Sequence, residues 1–62
     1  MEYERNFLIE LKNILIYRLN LVDIKIKSFP ISGSDKEYKD LINKAIYYRD
    51  QINKVNQELR NL

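Results

Sequence analysis

The side chains best placed to do chemistry in this sequence are carboxylates. Asp35, Glu37 and Asp40 fall close together, and Glu2 and Glu4 stand near the start. Three neighbouring carboxylates are the kind of hard oxygen set that takes a divalent cation. Lys36, Lys39 and Lys44 interleave with them and neutralise much of the field such a site needs. Their position suggests a plainer role. Ser34 followed by Glu37 is a capping box, and Asp35 and Glu37 sit where a helix N-terminus favours negative charge. Glu2 and Glu4 are two apart, so they face different sides of any helix. Ser28, Ser32 and Ser34 have no histidine to activate them, because the chain has none, and no lysine is spaced to suggest a Ser-Lys pair. With no cysteine there is no thiol chemistry, disulfide or zinc ribbon. A single glycine excludes the glycine-rich phosphate loops. The expectation is a chain that is not an enzyme and carries no cofactor and no metal.

Nucleic-acid binding is the second chemistry to weigh. The chain has 11 Lys and Arg against 9 Asp and Glu, a net charge of only +2, with a pI near 9.0. Lys25, Lys27, Lys36 and Lys39 gather around one loop, but Asp23, Asp35, Glu37 and Asp40 stand among them. A protein that tracks phosphates needs a basic stripe, and these charges are interleaved instead. Five tyrosines could stack on bases. Tyr17, Tyr38 and Tyr48, however, fall in apolar stripes, where a tyrosine packs its ring and keeps its hydroxyl wet.

The elements that would position these groups follow from one interruption. The only Pro and the only Gly lie in residues 28–34, around Pro30 and Gly33. Proline biases Phe29 away from helical dihedrals, and Gly33 permits positive φ. The flanks hold neither breaker. The prediction is one all-α domain over residues 1–62: a helix near 3–27, a loop at 28–34 and a helix near 35–61, folded as an antiparallel hairpin. On the second helix Tyr38, Leu41, Ala45, Tyr48, Ile52, Val55, Leu59 and Leu62 alternate spacings of three and four, a coiled-coil seam of more than three heptads. Asp40 with Lys44 and Asp50 with Lys54 are acid-first pairs one turn apart, each worth about 0.2–0.5 kcal/mol. Residues 23–27 alternate apolar and charged, so a strand there is the competing reading, and it would need a pairing strand from a second copy.

The first helix is more apolar than one neighbour can use. Leu8, Leu11, Leu15, Leu19, Val22 and Ile26 form one stripe, and Phe7, Ile14, Tyr17, Leu21 and Ile24 form another. A chain of 62 residues buries only about 60% of its unfolded surface, and with no disulfide it is expected to gain stability from a second chain. The expected assembly is a homodimer forming a four-helix bundle, with Phe7, Ile14, Tyr17, Leu21 and Ile24 at the interface. Arg18 and Lys25 lie seven apart within this apolar arc. They either set register and receive an acidic partner, or cover the seam with their stems and keep their charges in water. Ile9 and Ile16 lie on the polar back of the same helix, and Ile46 and Tyr47 lie off the seam of the other. Together they form a candidate partner-binding patch.

The start of the chain has no basic region of a signal peptide, and no apolar run is longer than the four residues of Ile14, Leu15, Ile16 and Tyr17, far short of a membrane span. A cytoplasmic protein without membrane contact is expected. The functional expectation is a small regulatory or adaptor protein that acts by protein–protein binding; an RNA- or DNA-binding helical dimer is the alternative. Residues 35–42, Asp-Lys-Glu-Tyr-Lys-Asp-Leu-Ile, are the segment most similar to the second-helix motif of the small sporulation aspartyl-phosphate phosphatases. Aligned on Leu41 and Ile42, that motif's essential aspartate falls on Lys39, so the activity remains a remote alternative. The plasmid-encoded RNA-binding helical dimers are similar in length and layout only.

Overall fold

The computed structural model describes residues 2–62. It holds two helices, α1 from Glu2–Lys27 and α2 from Asp35–Asn61, and no strand among the described residues. Residues 23–27 belong to α1. Their alternation gives way to the helical spacing of Leu19, Val22 and Ile26, which turns all three toward α2, where they are buried or half-buried. A strand there would have left its backbone groups unpaired.

The junction between the helices is built from short local bonds. The Ser28 amide and its Oγ both donate to the Ile24 carbonyl, at 3.0 and 2.8 Å, and close the C-terminus of α1. Phe29 N donates to the Ile26 carbonyl at 3.2 Å. A turn follows over residues 30–33, closed by Gly33 N on the Pro30 carbonyl at 2.9 Å. Ser34 caps α2 with extended dihedrals, and its hydroxyl accepts from Glu37 N at 3.4 Å.

Gly33 is required for a different reason from the one its residue type suggests. No residue among those described has positive φ. A Cβ at Gly33 would lie 2.6 Å from Phe29 Cζ, closer still to Cε2, and 3.0 Å from the Pro30 carbonyl oxygen. The Phe29 ring folds back over the glycine and meets Tyr38 edge-on, with ring centres 5.4 Å apart. The glycine therefore makes room for an aromatic lid on the loop. Gly33→Ala is expected to displace that ring and lower stability by about 1–2 kcal/mol while leaving helix content intact. Urea unfolding followed by circular dichroism measures this, and an unchanged midpoint would mean the ring is not held against Gly33.

The core is a single seam. Leu8, Leu15, Val22, Ala45 and Val55 are buried, and Leu8, Leu15 and Val55 pack with Leu11, Tyr48, Ile52 and Leu59. Leu11, Leu19 and Ile26 are half-buried, so the whole first stripe of α1 faces α2. The α2 seam is buried or half-buried from Leu41 to Leu59, with Tyr38 and Leu62 exposed at its two ends. The acid-first pairs on α2 stay open: among the described residues the one ion pair is Arg49 Nη2 to Asp23 Oδ1 at 3.4 Å, between the helices. Exposed lysines gain little by giving up their hydration for a neighbouring carboxylate. The hairpin measures 50 × 14 × 11 Å. Its radius of gyration, 14.6 Å, exceeds the roughly 11 Å of a compact domain of this length.

Candidate functional site

The second stripe of α1 is where the rod leaves its apolar surface. Phe7, Ile14, Tyr17, Leu21 and Ile24 are all exposed, and Tyr3 extends the stripe by one step. Their exposures run from 43% at Leu21 to 82% at Tyr3. With Glu10 they occupy positions 3, 7, 10, 14, 17, 21 and 24, an unbroken alternation of four and three. At about 200 Å² per large side chain, the six apolar members expose on the order of 700 Å². A monomer's largest apolar patch is usually about 300–600 Å². On an ideal wheel this stripe is centred about 130° from the one packed on α2, so α2 cannot reach it.

The total surface of the elongated molecule is also large for its mass. Its accessible surface is 5289 Å². A compact monomer of this mass would expose about 4,300 Å².

The seam runs into a hollow at the open end of the hairpin. Tyr3, Glu4, Phe7 and Leu8 of α1 and Glu58, Asn61 and Leu62 of α2 line a space of about 400 Å³. Its lining is mostly apolar and includes two carboxylates, Glu4 and Glu58. Glu10, within the seam, lines a smaller recess with Tyr3, Asn6 and Phe7.

The candidate patch of Ile9, Ile16, Ile46 and Tyr47 divides over the two flanks of the hairpin. Ile9 and Ile16 precede Asp23 by two heptads and one, so they share its side of α1. Ile46 precedes Arg49 by three residues, and the Arg49–Asp23 pair marks that side on both helices. Tyr47 precedes Glu58 by eleven residues, three turns, and so lies on the flank of the open-end hollow, with its ring edge-on to Tyr48 at 5.7 Å. Ile9, Ile46 and Tyr47 are exposed and Ile16 is half-buried. Three of the four residues thus share the ion-pair flank. Spacing already puts adjacent Ile46 and Tyr47 about 100° apart around the helix, and the ion pair and the hollow mark the flank that each one faces.

Arg18 and Lys25 are exposed, and among the described residues neither makes an ion pair. Among the described residues no three carboxylates come together in a way that would hold a metal ion. No helix among them is long and apolar enough to cross a membrane. The geometry defines a two-helix hairpin with one side of one helix unpartnered. Comparison with protein-family models, with curated proteins and with solved structures finds no match to this chain.

Proposed function

We propose that this hairpin is a small regulatory or adaptor protein that works by binding protein chains, the first of them a second copy of itself. The observation that carries the reading is the exposed seam of Tyr3, Phe7, Ile14, Tyr17, Leu21 and Ile24. Coiled-coil spacing is the pattern by which one helix receives another, and water is a poor neighbour for six large apolar groups in a row. In this reading the chain acts through its surfaces and performs no covalent chemistry. A cytoplasmic setting is part of the same proposal.

A homodimer built on α1 leaves the other flank free for a different partner. Ile9, Ile16 and Ile46 lie there, with Arg49 nearby and a shallow groove of Lys12, Asn56, Leu59 and Arg60 toward the open end. An apolar segment with acidic neighbours suits that flank, since rim charges set specificity and approach more than affinity. Tyr47, on the opposite flank, is outside this surface.

The test uses the full-length chain as bait in extract of its source cells, in wild-type and Ile46→Lys forms. The expected result is a protein retained by the wild type and reduced about tenfold or more on Ile46→Lys, with Tyr47→Ala behaving as wild type. Circular dichroism confirms that both variants keep their helices. Retention of nucleic acid instead, lost steeply as salt is raised, would replace this reading by the RNA- or DNA-binding one.

A further inference from the structure

We infer that the exposed seam of α1 pairs with the same seam of a second copy running antiparallel, and that the open-end hollow of each copy receives the Ile24–Lys25 end of the other. This rests on the seam being a surface for a second copy, and it adds the direction of that copy and the charges that fix it.

Area comes first. The protomer exposes about 1,000 Å² more than a compact chain of its mass. A specific interface takes about 800 Å² from each partner. The surplus surface is therefore of the size that one copy would cover on another.

Direction comes from reading the seam from both ends. With Ile14 facing Ile14 across a two-fold axis, every residue stands level with the one whose number completes 28. Phe7 is then level with Leu21, and Tyr3 with Lys25, one residue from Ile24. Phe7 with Leu21 and Ile14 with Ile14 are apolar at matching levels, and Tyr17 comes level with Leu11, so reversal keeps apolar contact along the middle of the seam. Glu10, the one acid in the seam, comes level with Arg18 of the second copy. Arg18 is exposed and, among the described residues, unpaired within its own hairpin, as is Lys25.

Charge then selects this direction over the parallel one. Glu4, Leu11, Arg18 and Lys25 recur every seven residues along one edge of the seam, and Asn6, Asn13, Asn20 and Lys27 along the other. In an antiparallel pair each edge meets the same edge of its partner. Glu4 comes level with Ile24 and beside Lys25 of the second copy, twice per dimer. A parallel pair sets the first edge against the asparagines and leaves these charges without opposite partners. The hollow adds Glu58 to the acidic end, so Lys25 arrives between two carboxylates, over a mostly apolar lining that takes Ile24. Helix dipoles also favour the reversed arrangement.

The flank of α2 beside the seam is polar, with Asp40, Lys44, Tyr47, Gln51, Lys54 and Glu58 along it. It offers little to a second layer of helices. The four helices therefore lie in a shallow arc, α1 against α1 at its centre and each α2 outside.

The absence of cysteine makes the test clean. Asn6→Cys carries a spin label on an exposed edge of the seam. The antiparallel pair separates the two labels by sixteen residues of helix, about 24 Å along the axis. A parallel pair puts them side by side, within about 15 Å. Alongside it, Glu4→Lys and Lys25→Glu are each expected to weaken the dimer about tenfold, and the double variant to return to within about threefold of wild type. Helix content is followed in every variant. Labels about 24 Å or more apart together with rescue by the double variant support the inference. A dimer with labels within about 15 Å, or without rescue, overturns the arrangement and leaves self-association standing. A folded monomer at about 100 µM overturns both.

Discussion

Leu21→Glu is expected to convert the assembled protein to single chains. Leu21 is exposed on the isolated hairpin, so a carboxylate there costs the hairpin's own core little. In the assembly it would stand level with Phe7 of the other copy, and so enter the α1 contact twice. Losing even half of a leucine's burial energy on both copies removes about 2–3 kcal/mol, and desolvating two carboxylates adds to that. Association should weaken by about 100-fold or more. The measurement is the concentration at which the mass halves, with circular dichroism beside it. Leu21→Ala, which adds no charge, should weaken the dimer by less. A Leu21→Glu protein that assembles as the wild type does would remove Leu21 from any interface.

Leu15→Ala is expected to cost the most stability of any single truncation. Leu15 is one of five buried side chains and packs in the cluster of Leu8 and Val55. Truncating a buried leucine costs about 2–5 kcal/mol. A single core in a domain this small supplies only about 3–5 kcal/mol in total. Most of the margin would disappear, and the chain should be substantially unfolded near 25 °C when dilute. Ile24→Ala is the contrasting variant. Ile24 is exposed on the hairpin, so its truncation should leave the dilute chain's unfolding midpoint nearly unchanged. Equal losses at Leu15 and Ile24 in the dilute chain would contradict the division of α1 into an inner and an outer stripe.

The features that could be read from the sequence are those that act within one helix. The single Pro and Gly mark the only break, Ser34 begins α2 through its own hydroxyl, and the heptad of Leu41 to Leu59 turns one stripe inward. The two stripes of α1 were equally legible, one facing α2 and the other left outside. Features that depend on how one helix is rotated against the other were not. Ile46 and Tyr47 part by about 100° around α2, which spacing gives, but the flank that each one faces is marked by the Arg49–Asp23 pair and by the hollow. Gly33 reads as a residue for an unusual backbone, because glycine is the usual choice there. Its actual neighbour is the ring of Phe29, which reaches it through a fold in the loop that spacing does not describe. The hollow needs both chain ends brought together, and so it too has no local signature.

The proposed role stands on the outer stripe of α1 being a contact surface, and sedimentation equilibrium of the full chain tests that most directly. Across about 1–100 µM the predicted result is a species of twice the 7.6 kDa chain mass that dissociates on dilution. A fully helical species that stays at 7.6 kDa over the whole range would contradict it.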